Sequence, residues 1–299
     1  MLTKKILNIK LEHVPCTLCN SDDYEIIHSF LESGINIVKC KQCGLSYLNP
    51  RLIEEEIRNI YQKDYFSNDF SVEYGYDNYI KSHTEIANTS RRRLKFIEKY
   101  IQKGSLLDIG CATGVFLKEA QNRGWQVEGV EISKYAWEYA TTVYQLKVFN
   151  GTLKQKISLS NIYYDVVTMW DYIEHVPNPV EEIREVSRIL KKDGFLFLTT
   201  PDINSIPAKI TRSRWLGFKK YIEHLYYFEF ITIKKLLEQS GFQILYKWYT
   251  GKYITQDIFI ARLISISKIF NFLNCIKTDK LSLYINPFDI MVIAAQKVK

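Results

Sequence analysis

The sequence has few residues of the kinds that dominate fibrous, disordered or disulfide-bonded proteins. Among its 299 residues are 13 glycines, 7 prolines and 6 cysteines. These counts exclude a collagen-like repeat, a proline- and glycine-rich disordered chain and a disulfide-dense scaffold. With 46% hydrophobic and 24% charged residues, the chain has the composition of a globular protein that buries a substantial core.

Long apolar runs are missing as well. The start of the chain is basic but has no apolar run of about seven residues before Glu12, so no secretory signal is predicted. The most apolar later stretch, residues 258–273, is interrupted by Arg262 and Lys268 and is shorter than the roughly 20 residues that cross a bilayer. We therefore expect a cytoplasmic protein with no transmembrane segment.

No dense stripe of one charge sign is present. The net charge of +7 comes from 40 lysines and arginines against 33 acidic residues, which is a mild excess. Net charge reports solubility and non-specific attraction rather than a fold. A nucleic acid is therefore not the expected partner, and an anionic, nucleotide-linked substrate stays open.

Four of the six cysteines have the spacing of a metal site. Cys16 and Cys19 form one C-x2-C pair, Cys40 and Cys43 form another, and 20 residues separate the pairs. Four thiolates fill the tetrahedral coordination of Zn2+ and leave no open position, so such an ion is structural. Unpaired buried cysteines or two disulfides are the alternatives, and a reducing cytoplasm disfavours the disulfides.

The residues around these cysteines predict a small zinc ribbon. Residues 24–30 and 35–38 read as short strands with a break at Gly34, and we assign residues 1–50 to this module. Residues 51–103 are predicted to form a helical, tyrosine-rich connector or lid, with a helix around residues 81–101. Its tyrosines before that helix are Tyr61, Tyr65, Tyr74, Tyr76 and Tyr79.

Three consecutive arginines, Arg91 to Arg93, lie within this predicted helix. They could contact phosphate, but consecutive residues on a helix point in widely different directions. We therefore expect a solvated helix face.

Residues 104–299 alternate short apolar runs with helical patterns. Strands are predicted at residues 105–109, 126–130, 147–149, 164–169, 194–199, 242–246 and 289–294. Between them, Asn178 and Pro179 begin one helix, and Thr232 begins another that ends near Gly241. This alternation predicts an α/β fold with a parallel sheet covered by helices.

The first predicted strand of this region ends in a run of small residues. Gly110, Ala112 and Gly114 follow Asp108 where the strand turns into a helix, and small residues there let a ligand approach the backbone. The run lacks the lysine of a phosphate-binding loop and the glycine spacing of a nicotinamide site. Glu131, at the end of the second strand, can accept both ribose hydroxyls of a nucleoside. Together these features predict an adenosine-containing cofactor without a phosphate-binding loop.

Four segments of the chain resemble, in order, the successive motifs of class I S-adenosylmethionine-dependent methyltransferases. They are LLDIGCATGVFL, GVEIS, DVVTMWDYIEHVPNP and LKKDGFLFLTTPD. The resemblance covers roughly residues 80–298. It implies a Rossmann-like sheet of seven strands in the order 3-2-1-4-5-7-6, with strand 7 antiparallel. It also implies that S-adenosylmethionine is the cofactor.

The same resemblance implies cofactor contacts residue by residue. It implies that the methionine part of the cofactor lies against the small-residue loop and that the ribose lies at the acid that ends strand 2. The adenine is implied to lie beside the residue after that acid, and the sulfonium beside the end of strand 4. The residues implied are Asp108, Gly110, Cys111, Ala112, Gly114, Glu131, Ile132, Met169 and Trp170. Two positions depart from the family pattern, since Ala112 replaces a glycine and Thr152 stands where an acid often contacts adenine.

Methyl transfer needs few chemical groups from the protein, because the sulfonium already activates the methyl carbon. Holding donor and acceptor in line is the main task, and a base is added when the acceptor is a hydroxyl. His175 and His224 are the candidate bases. Asp171, Glu174 and His175 also resemble the acid, acid, histidine set that is associated with magnesium in ubiquinone-type O-methyltransferases. We expect a local hydrogen-bond network there rather than Mg2+.

A four-cysteine module joined to such a domain narrows the acceptor. The combination resembles enzymes of surface-polysaccharide or sugar-nucleotide modification, which implies a sugar hydroxyl as acceptor in cell-surface glycan biosynthesis. A sugar C-methyltransferase, an RNA methyltransferase and a cofactor-binding protein without transfer activity are alternatives. Against RNA, the segment from Trp170 to His175 lacks the Asn/Asp-Pro-Pro-Phe/Tyr pattern of many base methylases. The oligomeric state stays open.

The long segment after strand 5, residues 201–227, is expected to close over this acceptor together with the tyrosines of residues 61–79. Aromatic faces suit sugar rings, and basic groups suit a diphosphate. The residues concerned are Arg212, Arg214, Trp215, Lys219, Lys220, Tyr221 and His224. The alternative is that the aromatic side chains belong to the core and the charges are solvated.

Overall fold

The structure is a computed structural model that describes residues 10–31, 33–60, 79–159, 162–219, 221–266 and 281–298. Within these ranges, no helix is both long enough and apolar enough to cross a membrane. Several residues with a predicted role lie outside the described residues, namely Tyr61, Tyr65, Tyr74, Tyr76 and Lys220.

The four-cysteine segment folds as short strands joined by tight turns. Its elements are β1 (Leu11–Glu12), β2 (Tyr24–Phe30), β3 (Ile35–Cys40), β4 (Ser46–Leu48), β5 (Arg51–Leu52) and helix α1 (Glu54–Ile60). β2 and β3 pair antiparallel around Gly34, whose φ of 69° suits a residue without a Cβ. The two predicted strands are confirmed, and the second extends to Cys40.

The remaining elements alternate helices and strands, as predicted. Up to the middle of the chain they are α2 (His83–Ile97), β6 (Ser105–Ile109), α3 (Val115–Asn122), β7 (Gln126–Glu131), α4 (Lys134–Val143), β8 (Val148–Asn150), α5 (Leu153–Ser158) and β9 (Tyr164–Trp170). They continue with α6 (Pro179–Ile189), β10 (Leu190–Pro201), α7 (Ile206–Thr211), α8 (Leu216–Lys219), β11 (Tyr226–Tyr227), α9 (Phe230–Gln239), β12 (Phe242–Tyr249), β13 (Lys252–Thr255), α10 (Gln256–Ile266), β14 (Ser282–Ile285) and β15 (Ile290–Lys297). Short turns of 3-10 helix lie at Ile173–His175 and Arg212–Arg214.

Seven of these strands form one mixed sheet in the order β12-β15-β10-β9-β6-β7-β8. Strands β6 to β10 pair in parallel, and β15 runs antiparallel between β10 and β12. Starting from β8, this is the order 3-2-1-4-5-7-6 with strand 7 antiparallel, so the expected Rossmann-like α/β fold is confirmed. The carboxyl ends of the parallel strands meet at one edge, where open α/β sheets bind ligands.

Local capping signals decide where the helices begin. At the start of α6, the side chain of Asn178 accepts a hydrogen bond from the amide of Glu181 (3.2 Å), and Pro179 occupies the first turn, as predicted. The next long helix, α9, begins at Phe230 rather than after Thr232. Glu229 is its N-cap, and the amide of Glu229 donates to the Thr232 hydroxyl at 3.1 Å. A capping box therefore replaces the expected threonine cap.

Alternation along the central strands divides the apolar core into two clusters. In β6, Leu106 belongs to one cluster and Leu107 to the other, because successive side chains of a strand point to opposite faces. The cluster of Leu106 lies against α2 and α3, where it includes Leu94 and Phe116. The cluster of Leu107 lies on the face that carries the four-cysteine module.

The four-cysteine module is packed onto the main domain, and a strand from the later part of the chain completes the module's own sheet. β11 pairs antiparallel with β4 and completes a four-stranded sheet in the order β11-β4-β3-β2. Ile37 and Leu48 of the module are buried in the same apolar cluster as Leu198 and Leu237 of the main domain. The division of the chain at residues 50 and 103 stays a prediction, because this core extends across it.

Candidate functional site

The four cysteines come together at one end of the module. Cys16 Sγ lies 3.4 Å from Cys43 Sγ, and Cys19 Sγ lies 3.5 Å from Cys40 Sγ. All four sulfur atoms lie within 4.8 Å of one another, and none is in a disulfide. A tetrahedral Zn2+ with bonds of about 2.3 Å separates its ligands by roughly 3.8 Å, so this donor set fits such an ion. The hydrogen bond with Cys16 lowers the pKa of Cys43, which favours the thiolate that a metal binds.

The turn from β6 into α3 uses backbone conformations that favour glycine. Gly110 and Gly114 have φ angles of 73° and 81°. The Tyr172 ring packs directly on Gly110, since a Cβ at that position would lie 2.5 Å from Tyr172 Cδ2. Ala112 has a φ of 49°, a left-handed conformation that is strained for a residue with a Cβ. The alanine that replaces the family's glycine is therefore accommodated at some cost in backbone strain.

Glu131, at the end of β7, holds this turn in place. Its Oε2 accepts a hydrogen bond from the amide of Ala112, and its Oε1 accepts one from the amide of Ser133, both at 2.8 Å. Burial raises the pKa of this carboxyl group, and the backbone amides oppose the rise. Each carboxylate oxygen has a second lone pair. The group that fixes the turn can therefore also accept hydrogen bonds from ribose hydroxyls.

Asp108 is a second buried acid next to the turn. It is 2% exposed, and its Oδ1 accepts a hydrogen bond from the Thr168 hydroxyl at 2.6 Å. Burial raises the pKa of Asp108 to about 7, although the Thr168 hydrogen bond and the charge of Arg93 lower it. The carboxyl group therefore titrates near neutral pH.

Arg93 lies beside these acids, although the sequence predicted a solvated position for it. Its guanidinium carbon is 4.5 Å from the centre of the Trp170 ring, and its Nη2 donates to Asp171 Oδ2 at 3.2 Å. Its side chain is 18% exposed, whereas that of Arg91 is 51% exposed and pairs with Glu119. The expectation of a solvated run is therefore wrong for Arg93. Arg91 and Arg93 are two positions apart on a helix and therefore point to different faces, and this difference is the signal that could have separated them.

Two buried donors in this group have no hydrogen-bond partner among the residues that the structure describes. The Nε of Arg93 and the indole Nε1 of Trp170 make no hydrogen bond to any residue that the structure describes. Buried polar groups in native proteins are nearly always hydrogen-bonded. These two donors therefore fit a ligand that brings an acceptor, such as a carboxylate, to the edge of the sheet.

The other predicted cofactor residues differ in their surroundings. Ile132 is 39% exposed directly after β7, and Met169 has no exposed surface. Cys111 is buried, and burial raises the pKa of its thiol, which keeps it protonated. Thr152 forms a capping box with Gln155 at the start of α5. This position therefore serves as a helix cap where relatives often place an acid.

The two candidate bases come from different segments and meet at this edge. The ring centres of His175 and His224 are 4.8 Å apart, with the rings nearly perpendicular at 80°. The Nδ1 of His175 donates to the carbonyl oxygen of Glu223 at 3.0 Å, because a carbonyl can only accept. In the neutral ring the lone pair is therefore on Nε2, and Glu174 Oε1 lies 3.8 Å from this atom. The arrangement can accept a proton at Nε2 and stabilise the resulting charge.

The structure brings together only two of the three residues in the predicted acid, acid, histidine set and adds a second histidine. The side-chain donor atoms of Glu174, His175 and His224 lie within 4.8 Å of one another. Asp171 is not in this group, because its Oδ1 accepts a hydrogen bond from the Thr199 hydroxyl at 2.8 Å on the side of β10. A divalent cation would therefore find one carboxylate and two imidazoles here rather than the set expected from the sequence.

The segment after β10 divides into buried aromatic residues and exposed cations. Trp215 is 2% exposed, and its indole donates to Asp289 Oδ2 at 3.1 Å. The expectation that its ring faces a sugar is therefore wrong, and it belongs to the core. The Tyr221 ring stacks on a phenylalanine of β2 with ring centres 3.8 Å apart. Arg212 and Arg214 are exposed.

An open seven-stranded sheet with β15 antiparallel and a glycine turn at its carboxyl edge defines a Rossmann-like methyltransferase fold. Residues 82–247, more than half of the 299-residue chain, match the family model described as a methyltransferase domain. The chain belongs to this methyltransferase family.

Known proteins similar to this chain differ in how much of it they cover. A ubiquinone biosynthesis O-methyltransferase from Nitrosomonas europaea is 31% identical over 121 residues, which cover 38% of this chain and 51% of that protein. The chain thus spans about half the length of the curated relatives it matches. Magnesium protoporphyrin IX methyltransferase from Synechocystis PCC 6803, solved with bound SAH, is 14% identical with a TM-score of 0.53, covering 82% of this chain and 100% of that one.

A second solved structure gives the same fold. It is a Thermotoga maritima methyltransferase described as a possible histamine N-methyltransferase, 19% identical with a TM-score of 0.50. The match covers 73% of this chain and 92% of that one. At such identities the two solved structures establish the fold alone.

Replacing Asp108 with asparagine should change how stability depends on pH. An acid whose pKa rises from 3.8 to about 7 on folding binds its proton more tightly in the native state. Native stability therefore falls as pH rises from about 4 through 7, by at most about 4 kcal/mol, and Asp108→Asn should remove that loss. Thermal unfolding between about pH 4 and pH 8 measures it. The exposed Asp22→Asn variant is the control, and an unchanged pH dependence in Asp108→Asn would contradict the raised pKa.

Proposed function

We propose that this chain transfers a methyl group from S-adenosylmethionine to a hydroxyl group of a small molecule, most simply a sugar or sugar nucleotide of cell-surface glycan synthesis. The observation that carries the proposal is that Glu131 is bonded to the glycine turn while Arg93 lies against Trp170 and Asp171 at the end of β9. Membership of the methyltransferase family supports the reaction, and relatives named O-methyltransferases support oxygen as the accepting atom.

The charges of this edge complement those of the cofactor. S-adenosylmethionine has ribose hydroxyls, an ammonium group, a sulfonium and a carboxylate. In the proposal, Glu131 accepts the ribose hydroxyls, Asp108 faces the ammonium group and Arg93 pairs with the carboxylate. Adenine packs on Ile132. The remaining proposed contacts are Gly110, Cys111, Ala112, Gly114, Met169 and Trp170.

The histidine pair supplies the proton acceptor for a hydroxyl substrate. When bound, S-adenosylmethionine supplies a methyl group that its sulfonium makes electrophilic. His175 takes up the hydroxyl proton at Nε2, because its Nδ1 proton is held by the carbonyl of Glu223. Glu174, 3.8 Å from that Nε2, stabilises the imidazolium. His224 is the second candidate base and limits the space beside His175.

Local charge supports an acceptor that carries phosphate. Residues 203–222 contain five basic residues and no acidic one, and Glu223 separates this segment from His224. Arg212 and Arg214 within it are exposed. Exposed guanidinium groups in a stretch of sequence that has no acidic residue suit the diphosphate of a nucleotide sugar.

A phenolic hydroxyl is the second candidate acceptor. The curated relatives are named for ubiquinone biosynthesis, and the part of this chain that is similar to them is up to 31% identical. A buried Glu174 beside His175 suits deprotonation of a phenol as well as of a sugar hydroxyl. Activity assays with different acceptors separate the sugar hydroxyl from the phenolic hydroxyl. The same assays would also detect methylation of RNA or of a sugar carbon.

We also infer that the cysteine cluster holds one structural Zn2+. Its four sulfur atoms supply a closed set of soft ligands at the spacing of a tetrahedral ion. A closed site leaves no position for a substrate, so the metal stabilises the module rather than taking part in the reaction. Free thiols suit a reducing compartment such as the cytoplasm.

Protein purified without chelator should contain one zinc ion per chain, and Cys43→Ser should lose it. Residues 14–48 should then exchange amide hydrogens faster, because the metal replaces a core in so small a module. Plasma mass spectrometry and hydrogen exchange measure the two effects. Cys111→Ala removes a cysteine outside the cluster and should keep the zinc. Zinc-free wild-type protein would contradict the metal site.

Arg93→Met should weaken the binding of S-adenosylhomocysteine by about 10- to 100-fold, because a hydrogen-bonded charge pair is lost. Binding of 5′-methylthioadenosine, which has the adenine and ribose but no carboxylate, should change by less than about threefold. Titration calorimetry measures both affinities. Arg91→Met makes the same charge change at an exposed position of α2 and is the matched control. An equal loss for both ligands would argue against a contact with the carboxylate.

A panel of acceptors with labelled S-adenosylmethionine tests the substrate class. Nucleotide sugars should take up the label, whereas phenolic quinone precursors and total RNA should not. His224→Ala should lower turnover by about 100-fold or more and leave cofactor affinity intact. His83→Ala, at an exposed histidine of α2, is the control. Label found in RNA alone would overturn the substrate class, and near-normal turnover of His224→Ala would remove it as a base.

A further inference from the structure

The segments that carry the two histidines are distant in sequence but fastened together. The amide of Leu225 donates to the carbonyl oxygen of Glu174 at 2.8 Å, next to both His175 and His224. The carbonyl oxygen of Leu225 accepts a hydrogen bond from the amide of Leu48 at 2.9 Å. A strand of the four-cysteine module is therefore hydrogen-bonded to Leu225, which is in turn hydrogen-bonded to the segment of His175.

Arg51, the first residue of β5 and the residue directly after the predicted end of the module, reaches both segments. Its Nη1 donates to the carbonyl oxygen of Pro177 at 2.9 Å and to the Tyr226 hydroxyl at 3.1 Å. The Tyr226 hydroxyl donates to the same Pro177 carbonyl at 2.9 Å. Pro177 follows His175 by two residues, and Tyr226 follows His224 by two residues. The three groups thus form a clamp across the two histidine segments.

The burial of Arg51 makes this clamp specific. The residue is 8% exposed, and its Nε donates to Glu12 Oε1 at 2.9 Å. A buried charge without partners is strongly destabilising, so the guanidinium is held to the acceptors that surround it. Its donors also form a rigid planar fork, which fixes the partners relative to one another. A lysine offers one point charge and does not reproduce that geometry.

We propose that Arg51 is a positioning residue of the acceptor half of the site, which holds the turn of His175 against the strand that follows His224. The proposal rests on the proposed role of these histidines in methyl transfer. The cofactor half is fastened by other groups, namely Glu131 at Ala112 and Arg93 at the end of β9. In this proposal Arg51, which follows the four-cysteine module, acts on the geometry of the histidines and not on cofactor binding.

Hydrogen exchange and histidine NMR on the full chain test this role. In Arg51→Met, the amides of Leu225 and Leu48 should exchange about 10-fold faster or more, because hydrogen bonds to a charged group are lost. The ring resonances of His175 and His224 should shift. Affinity for S-adenosylhomocysteine should stay within about threefold, less than the loss expected for a direct charged contact.

Three further variants control the experiment. Tyr226→Phe removes one hydroxyl of the clamp and should cause smaller changes in amide exchange and in the histidine resonances than Arg51→Met. If Arg51→Met does not fold, Tyr226→Phe tests the positioning role in its place. Arg51→Lys keeps the charge without the fork and should fall between Arg51→Met and the wild type. Arg91→Met removes an exposed arginine and should change none of these signals.

The outcomes distinguish this proposal from the proposed function. Unchanged exchange at Leu225 together with unchanged resonances of both histidines in Arg51→Met would overturn the positioning role, and so would equal changes in Arg91→Met. Wild-type protein that does not bind S-adenosylhomocysteine would overturn the proposed function instead, while the exchange data would still decide whether the clamp exists.

Discussion

The carboxylate of Glu131 is the contact on which the ligand edge of the sheet depends. It joins the turn after β6 to the start of α4, through hydrogen bonds from Ala112 and Ser133. Burying a carboxylate costs free energy, and hydrogen bonds from backbone amides to the charged form offset that cost. The main-chain carbonyl of Glu131 also accepts a hydrogen bond from Gly151 after β8. One residue therefore fixes three adjacent turns and keeps Ala112 in its left-handed conformation.

The four-cysteine module depends on the main sheet as much as on its cysteines. A segment of about 40 residues rarely buries enough apolar surface to fold alone, and it usually needs a metal or another source of stability. Here Ile37 and Leu48 are buried in a cluster that extends into the main domain, and β11 supplies the fourth strand of the module's sheet. The module is thereby fixed beside the histidine pair, and this contact is the one through which the proposed positioning role of Arg51 operates.

Features encoded by neighbouring residues could be predicted from the sequence. The strands of the ribbon, the alternation of helices and strands and the turn at Gly110 all follow from local patterns, and the strand order follows from the family resemblance. Arg51 and Arg93 were not recognised, because their partners are remote in sequence. Arg51 bonds to a carbonyl 126 residues away, and Arg93 pairs with an acid 78 residues away. The burial of Trp215 likewise depends on Asp289, which no local pattern reveals.

The balance of charges at the ligand edge follows from these contacts. Arg93 pairs with Asp171, and its charge also acts on Asp108. Among the residues that the structure describes at this edge, Asp108, Glu131 and Asp171 supply three carboxyl groups, which suits a ligand with more positive than negative charge. S-adenosylmethionine, the proposed cofactor, has two cationic centres and one carboxylate. A cation next to Asp108 lowers its pKa from about 7, so affinity for such a ligand rises as pH increases through neutral. Transfer of the methyl group removes the sulfonium charge while the carboxylates stay in place. In the proposed reaction, the product therefore carries one positive charge fewer than the cofactor at an edge whose carboxyl groups are unchanged.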